Sequence, residues 1–357
     1  MSSPILIIRL ENLANSGVRR INEIYEQMRD MADVQLMEPK TFKYRNIKTW
    51  GFFISAILEF VYSFYFIFKA ITKYNRYKVI YLWPMSYTYL WLIPFLRLLG
   101  KKVAVDYNDD FYELSNKKNA LRRIMFFFYY KIPQTIVPYL ANYLIVTPYF
   151  EKRFLKKGIS KRKMVAVRTG YDPRLFKKLK VKKSNKIEIG YFGSIDVRFD
   201  MNFVVKSFSE INNNKVRLNL FGTVAENHKK MNEPRIVYHG QIPHDDVCKK
   251  MNQMDILLNP FPYSLLANSA SPVKVFEYMA TEGCVLSSNI ESVKGVLKDK
   301  ENCSIYKPSD KNDFKKRLIE LIENKKLRIK LSKQALKDSK KHQWYFVAEK
   351  IVNKLSP

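Results

Sequence analysis

Short apolar runs alternate along this 357-residue chain with longer stretches in which apolar residues recur at helical spacing. Such alternation is typical of βαβ units and predicts an α/β fold with a mainly parallel sheet in each half. The predicted strands of the first half are residues 5–10, 34–37, 79–83, 103–106, 143–147 and 164–167. Those of the second half are residues 187–192, 216–221, 236–239, 256–260, 285–288 and 304–306. Two Rossmann-like domains are the simplest architecture that this pattern predicts.

A Lys-rich stretch at residues 177–186 separates the two series of strands. It has almost no apolar side chain to bury, which is typical of a linker. We therefore expect a first domain at residues 1–176 and a second at 187–340. The closing residues, 341–357, are expected to form a terminal helix.

The composition excludes several classes of protein. With 47% hydrophobic and 14% aromatic residues the chain can bury large cores, unlike a disordered basic tail. Its three cysteines lie late in the chain without CxxC spacing, which excludes a disulfide framework and a Cys-based zinc site and indicates a reducing compartment. Its four histidines show no metal-ligand spacing. The first apolar run, interrupted by Arg9 and Glu11, is too short for a signal peptide, so we expect a cytoplasmic protein.

The net charge of +30 is unevenly distributed. Residues 1–183 carry 34 basic and 13 acidic side chains, a net +21, and residues 184–357 carry a net +9. Three of the four tryptophans lie in the first half. Basic and aromatic residues together indicate either a membrane surface or nucleic acid. The aromatics cluster in apolar helices and no base-reading motif is present, so we expect no nucleic-acid partner.

The apolar segment at residues 50–68 is about the length of a membrane span but contains Glu59. A spanning helix with an unpaired Glu at mid-depth would be costly. Its small and polar residues fall at steps of four, on one stripe of a helix: Gly51, Ser55, Glu59 and Ser63. Two interpretations remain, a helix at a membrane surface and an unusually aromatic core helix. A second basic and aromatic cluster, at residues 122–131, favours the first.

The sharpest chemical signal is the sequence NSASPVKVFEYMA at residues 268–280. Ser271 is a good N-cap and Pro272 a good first residue, so a helix is predicted from there through Ala280. Lys274 lies in the first turn, where the positive end of the helix dipole disfavours a cation. An anion bound between Lys274 and the backbone amides would remove that cost. The alternative is a solvated Lys274 paired with Glu277 one turn later.

A second signal, GYFGSIDVRFD, lies at the end of the first strand of the second half, residues 190–200. Gly193 and Ser194 would let a ligand approach the backbone, and Arg198 could meet a negative charge. Together with the helix after Ser271 this stretch would enclose a diphosphate.

These stretches, with HGQIPHDDV, DILLNPF and SPVKVFEYMATEGCVLSS, resemble in order and spacing the carboxyl-terminal half of GT-B-fold glycosyltransferases, most closely the family 4 type. Residues 145–150 and 167–176 resemble the end of the first domain in that family, and the closing QWYFVAEKIVNKL resembles its terminal helix. The resemblance implies two Rossmann-like domains facing across a cleft, with the last helix crossing back to the first domain.

The resemblance also implies that a nucleotide-diphosphate sugar binds mostly to the second domain, without a metal or other cofactor. Gly193 and Ser194 would approach the diphosphate, and Arg198 and Lys274 would neutralise it. Glu277 would accept hydrogen bonds from the ribose. Gln241 and Ile242 would lie beside the nucleobase. Fixed cations and amides stabilise a departing diphosphate without a metal.

Two departures from the family pattern are evident. The usual second Glu, eight residues before Glu277, is Ser269 here, so Asn268 or Ser269 replaces the sugar-contacting carboxylate, or none does. The usual Gly-Gly loop of the first domain is represented by an acceptor-side loop with Ser16, Gly17, Arg19 and Arg20.

Three acids at the end of a predicted strand, Asp106, Asp109 and Asp110, are the candidate catalytic carboxylates. They fall at the sheet edge where α/β proteins bind ligands, and closely placed like charges raise one pKa toward the value that a general base needs. The alternative is a turn in which Asp109 or Asp110 caps the next helix. A retaining transferase would not need the base.

We therefore expect a glycosyltransferase of the hexosyltransferase class that uses a UDP-, GDP- or dTDP-linked sugar. The acceptor is expected to be a lipid-linked saccharide at an anionic membrane, with another glycan or a protein as runner-up. The protein would then be peripheral at the inner face of the membrane. A sugar-nucleotide epimerase or an inactive scaffold of the same fold is the alternative.

Overall fold

The computed structural model describes residues 3–9, 16–38, 50–83, 86–110, 112, 120–196, 199–226 and 228–356. For residues 16, 17, 50–56, 121 and 122 it describes the backbone alone. Internal contacts divide the chain into two compact units. Unit 1 comprises Met1–Arg168 and Trp344–Pro357, and unit 2 comprises Thr169–Gln343.

Unit 1 is built on a parallel sheet that has six strands within the described residues, in the order β2-β1-β3-β4-β5-β6. The strands are β1 (Ile5–Arg9), β2 (Val34–Met37), β3 (Val79–Trp83), β4 (Lys102–Tyr107), β5 (Tyr143–Val146) and β6 (Met164–Ala166). The helices are α1 (Ser16–Met28), α2 (Trp50–Ile71), α3 (Tyr89–Leu98), α4 (Ala120–Phe126), α5 (Ile132–Leu140), α6 (Pro148–Leu155) and the last helix of the chain, α13 (Trp344–Leu355). A π-helical turn, Phe127–Lys131, joins α4 to α5.

Unit 2 repeats the architecture with a second six-stranded parallel sheet, in the order β12-β11-β10-β7-β8-β9 among the described residues. Its strands are β7 (Ile187–Phe192), β8 (Val216–Phe221), β9 (Ile236–Gly240), β10 (Ile256–Asn259), β11 (Val285–Ser288) and β12 (Ser304–Tyr306). Its helices are α7 (Met201–Ser209), α8 (His244–Gln253), α9 (Leu265–Ser269), α10 (Val273–Ala280), α11 (Lys311–Glu323) and α12 (Lys325–Ser339).

All twelve predicted strands are present, and their ends differ from the prediction by no more than one residue. Strand interiors were predictable because buried parallel strands are continuous apolar runs, and all five residues of β1 are buried. The division between the units falls after Arg168, eight residues before the predicted end of the first domain, so residues 169–176 pack with unit 2. The last helix counts with unit 1, where it contacts α1, β5 and β6.

Helix α2 is apolar on the side that faces away from the sheet. The predicted polar stripe faces inward at Glu59 and Ser63, which are 8% and 0% exposed. Seven apolar side chains on the other side are exposed, and we call them the apolar face of α2: Ile57, Phe60, Val61, Phe64, Tyr65, Phe68 and Ile71. Helix α2 thus contributes Phe66, Ile67 and Ala70 to the core of unit 1 and leaves its other side uncovered within that unit. Among the described residues, no helix is long and apolar enough to cross a membrane.

Candidate donor and base sites

The carboxyl ends of β7, β8 and β9 are joined side by side in unit 2. The backbone N–H of Gly193, directly after β7, donates to the carbonyl of Phe221 at 2.9 Å. The N–H of Gly222 donates to the carbonyl of Gly240 at 2.7 Å. Gly193 therefore lies close to the start of the loop that carries Gln241. Parallel α/β sheets bind ligands at this edge, the carboxyl ends of the strands.

Glycine is required at the ends of both β7 and β8. Gly193 has a φ of 143°, and a Cβ there would lie 2.6 Å from Nζ of Lys274. A Cβ on Gly222, whose φ is 139°, would lie 2.0 Å from the carbonyl oxygen of Gly193. The missing side chain at Gly193 is what allows the Lys274 ammonium to approach the backbone.

Lys274 reaches this edge from the first turn of α10. Its Nζ donates to Oη of Tyr191 at 3.1 Å and lies 4.2 Å and 4.8 Å from the ring centroids of Tyr191 and Phe199. Burial of the ammonium lowers the pKa of Lys274 to about 7, against the charges of Glu277 and Asp196, which raise it. The residue as a whole is half-buried. The site thus holds a poorly solvated cation, which an anionic ligand would stabilise.

Tyr191 links Lys274 to the turn after β7. Its hydroxyl accepts from Lys274 and donates to the carbonyl of Ser194 at 2.9 Å. Glu277 lies one turn after Lys274 and is only 5% exposed. The alternative of a solvated pair between Lys274 and Glu277 therefore does not hold for Glu277, which is buried, whereas Lys274 is half-buried.

Helix α10 begins one residue later than predicted, and Ser271 does not cap it. Its N-cap residue is Pro272, which makes no side-chain cap. The Ser271 hydroxyl instead accepts from the backbone N–H of Thr169 at 2.9 Å, and the Thr169 hydroxyl donates to the carbonyl of Ser271 at 2.9 Å. The cap prediction failed because Thr169, 102 residues away, competes for the same hydroxyl.

The two residues that could replace the family's second Glu lie in the short helix α9. Ser269 is fully buried, and its hydroxyl donates to the carbonyl of Leu266 at 3.1 Å. Asn268 is 9% exposed, and its Oδ1 accepts from the backbone N–H of Glu291 at 2.9 Å. Direct contact with a sugar would therefore have to come from Asn268 and not from the buried Ser269.

The remaining predicted donor residues lie at the same sheet edge. Ser194 and Gln241 are exposed, and Ile242 packs in part against the core. Arg198 lies outside the described residues. The structure thus brings Gly193, Lys274 and Ser194 together through Tyr191, with Gln241 and Ile242 two strands further along the sheet.

In unit 1 the structure brings one predicted acceptor-side residue, Arg20, together with one predicted catalytic acid, Asp106. Nη2 of Arg20 lies 3.3 Å from Oδ2 of Asp106, and the two residues are 1% and 0% exposed. The Tyr81 hydroxyl donates to the same Oδ2 at 2.6 Å. Burial and the nearby Asp106 raise the pKa of Tyr81 well above its usual value. Asp106 is therefore a buried, neutralised carboxylate.

The three acids after β4 have different surroundings. Asp110 is 2% exposed and pairs with Arg153 of α6 at 2.9 Å. Asp109 is half-buried and accepts from Nδ2 of Asn108 at 2.7 Å. Burial, together with the charges of Asp106 and Asp110, raises the pKa of Asp109 to about 6, against the charge of Arg20, which lowers it. Asp109 is the acid whose titration suits a general base near neutral pH. The alternative cap by Asp109 or Asp110 concerns residues 111 and 113–119, which lie outside the described part.

The predicted acceptor-side loop is helical, so its description as a loop is wrong. Ser16, Gly17, Arg19 and Arg20 form the first turns of α1, and Arg19 lies 3.8 Å from Glu23 one turn later. The residues that follow form the buried side of the same helix, with Ile21, Ile24 and Met28 buried at steps of three and four. The helix therefore includes the residues from Ser16 onward.

Sequence reasoning missed Tyr191 and Phe199 as functional residues. Both are apolar enough to be interpreted as core, and Tyr191 is indeed 0% exposed. Their relation to Lys274, 75 to 83 positions away, exists only in the folded unit.

Comparison with known proteins supports the family resemblance of the second half and the fold of the chain. Residues 186–324 match the family described as "Glycosyl transferases group 1". No curated protein matches the chain. Sucrose-phosphate synthase from Thermosynechococcus elongatus has a similar structure, with 16% identity, a TM-score of 0.74 and coverage of 98% of each chain. HepE from Anabaena, solved in complex with UDP, has 12% identity, a TM-score of 0.70 and coverage of 99% of each chain. WaaG, a glycosyltransferase involved in lipopolysaccharide biosynthesis, has 12% identity and a TM-score of 0.69. The match covers 98% of this chain and 99% of WaaG.

At such low identity the structural matches bear on the fold alone. Both sheets and the return of the last helix to unit 1 agree with the GT-B fold that the sequence motifs indicated.

Proposed function

We propose that this chain, a GT-B-fold protein with a group 1 glycosyl transferase domain in its second half, transfers a sugar from a nucleotide-diphosphate sugar to an acceptor hydroxyl. The observation that carries the proposal is the Lys274 ammonium, held against Gly193 in the first turn of α10. A diphosphate bound there would meet a fixed cation and a helix N-terminus together.

In the proposed reaction the acceptor oxygen forms a bond to the anomeric carbon, and the bond from that carbon to the nucleoside diphosphate breaks. The leaving group gains negative charge as it departs, so groups that stabilise charge at that point lower the barrier. Lys274 and the N-terminus of α10 supply that stabilisation, with Glu277 as the ribose partner. One relative of similar fold, HepE, has been solved with UDP, which supports a uridine donor as the first to be tested.

The acceptor hydroxyl must lose a proton during transfer. If the reaction inverts the anomeric carbon, Asp109 is our candidate base, because its pKa of about 6 leaves it ionised at neutral pH while still basic enough to accept a proton. Asp106 and Asp110 are each held by an arginine and serve to support the strand end instead.

We also propose that unit 1 docks on an anionic membrane that presents a lipid-linked acceptor. The apolar face of α2 supports this, together with exposed Leu98 of α3 and exposed Phe127 and Phe128 of the π-helical turn. Phe64 packs on Trp91 at 4.9 Å and Tyr129 hydrogen-bonds Glu59, so α3 and the π-helical turn both contact α2. Aromatic side chains beside cations such as Lys69 and Arg123 are typical of membrane-surface binding.

A thermal-shift panel with UDP-, GDP- and dTDP-linked sugars tests the donor. A ligand that binds only the folded state raises the free energy of unfolding by mass action, by about 2.7 kcal/mol at one hundred times its Kd, and so raises the unfolding midpoint. Product analysis with the donor that responds then separates transfer from epimerisation, because an epimerase changes the donor sugar without any acceptor. No response to any sugar nucleotide would contradict the proposal.

A further inference from the structure

A cavity of about 400 Å³ lies on the face of the sheet of unit 2. Segment 182–184, the central strands β7 and β8, the edge strand β9 and the end of α8 supply its walls. Glu188, the second residue of β7, lines it, whereas Gly193 follows the opposite end of that strand. At about 3.3 Å per residue the two positions on β7 are roughly 16 Å apart. The cavity extends along the face of the sheet, from Glu188 at one end to Phe221 and His239 near the carboxyl ends of β8 and β9.

The wall of the cavity is cationic. Four basic residues line it, contributed by three separate parts of the chain: Lys182, Lys183, Arg217 and Lys250. Lys183 is partly engaged by Asp255, at 3.4 Å, and Arg217 lies 3.7 Å from Glu188. Glu188 is the one carboxylate among the described lining residues, which leaves the lining with a clear positive excess.

A hydrogen-bonded chain crosses the floor of the cavity. Nδ2 of Asn219 donates to Oε2 of Glu188 at 2.6 Å, so Oδ1 of Asn219 accepts from Nε2 of His239 at 2.9 Å. Asn219 is 4% exposed and Glu188 is 6% exposed, so the chain is rigid at its inner end. His239 is exposed, and its ring stacks on Phe221 with 4.2 Å between centroids. The Nε2 proton is thereby fixed, which leaves Nδ1 to respond to a ligand.

The charges around His239 match this geometry. Burial lowers the pKa of His239, and the charges of Lys250 and Arg217 also lower it, against the charge of Glu188, which raises it. An anion among those cations would reverse the effect, because it favours the protonated imidazole. Binding of an anion in the cavity should therefore raise the pKa of His239.

We propose that this cavity binds the phosphate group of a small phosphorylated molecule through cations other than Lys274. The volume suits a sugar phosphate but not a macromolecule, since small-molecule sites run from about 300 to 1,000 Å³. Lysine and arginine side chains from separate elements are the usual partners of a phosphate, and Nδ1–H of a protonated His239 adds a further donor. The phosphate group can belong to a free metabolite or to a lipid headgroup.

The test follows the imidazole signals of His239 in the full-length protein by NMR, assigned with His239→Gln. Glucose 6-phosphate is titrated with UDP-glucose present in excess, which occupies the proposed donor site; vesicles of phosphatidylglycerol form a second arm. We expect a saturable shift of the His239 signals in one arm. The arm that responds identifies the source of the phosphate, and a shift in neither arm overturns the site.

Two double variants separate a site from general attraction by a +30 protein. Lys182→Gln/Lys250→Gln removes two lining cations, and Lys206→Gln/Lys249→Gln removes two cations of the same unit that do not line the cavity. We expect the first pair to weaken binding at least tenfold and the second less than twofold, with unchanged unfolding midpoints. Equal weakening by both pairs would overturn the proposal.

Discussion

Arg20 and Asp106 form an ion pair that is buried from solvent, with 3.3 Å between Nη2 and Oδ2, although 86 positions separate them in sequence. One belongs to the start of α1 and the other to the end of β4, so the pair ties together the two parts of unit 1 that carry its candidate chemistry. Tyr81 of β3 donates to the same carboxylate. This carboxylate is fully engaged in holding the fold, which leaves base chemistry to its neighbour Asp109.

Replacing Asp106 should therefore destabilise unit 1. Loss of one partner leaves the other charge buried and uncompensated, so Asp106→Ala should lower the free energy of unfolding by about 3–5 kcal/mol. Urea denaturation measures the change. The matched control is Asp33→Ala, which breaks an exposed pair with Arg76 and should cost less than about 1 kcal/mol. Equal effects of the two substitutions would show that the Arg20 pair contributes nothing special.

Asp109→Asn should leave the fold intact and lower kcat by about 10²–10⁴, the usual contribution of a general base. Because a base acts when deprotonated, kcat of the parent should rise as the pH rises through about 6. That rising limb should disappear in the variant. Steady-state rates with saturating donor between about pH 5 and pH 8 provide the measurement. A variant with unchanged kcat and an unchanged pH profile would remove Asp109 from the mechanism and favour a retaining reaction.

Donor binding should weaken at alkaline pH through Lys274. With its pKa lowered to about 7, the ammonium is charged below that pH and loses its proton above it. A bound diphosphate favours the charged form, so binding takes up a proton, and the Kd for a sugar nucleotide should rise up to tenfold per pH unit above about 7. Calorimetric titration in buffers of different ionisation enthalpy counts the proton.

Lys274→Gln should both weaken binding of the sugar nucleotide and abolish the pH dependence of its Kd. The control is Lys206→Gln, an exposed lysine of α7. If the pH dependence survives in Lys274→Gln, another group is responsible for it.

Tyr191→Phe isolates the role of a hydroxyl that joins Lys274 to the carbonyl of Ser194. The ring remains, so the core and the contact between cation and ring are kept. We expect about a tenfold loss of donor affinity, since a hydrogen bond to a charged group contributes about 1.5–3 kcal/mol. The hydroxyl favours the ammonium, so its loss should also move the pH midpoint of binding below about 7. A merely structural effect would lower stability without moving that midpoint.

The apolar face of α2 predicts binding to anionic vesicles. Ile57→Glu/Phe68→Glu places two negative charges on side chains that are 63% and 60% exposed, so stability should change little and vesicle co-sedimentation should fall several-fold. Tyr263→Glu/Leu265→Glu is the matched control on exposed apolar residues of unit 2. Equal losses in both variants would indicate simple charge repulsion and would contradict docking through α2.

The sequence by itself determined the secondary structure and the fold to a large degree. Every strand was predictable because a buried parallel strand is a continuous apolar run whose identity does not depend on its neighbours. The motifs around Gly193 and Lys274 were also recognisable, since they are contiguous and each has a local chemical reason. The Lys-rich residues 177–186 were recognisable as well, although the division by contacts falls after Arg168.

Only the tertiary structure decided which of these residues act on one another. Nothing local distinguishes Asp106, Asp109 and Asp110; distant arginines neutralise the first and third, and burial raises the pKa of the second. The cap predicted at Ser271 failed for the same reason, because Thr169 engages its hydroxyl. Strand identity follows from the hydrophobic effect along the chain, whereas pKa values and hydrogen-bond partners depend on distances between residues far apart in sequence. Those distances are fixed only when the sheets assemble.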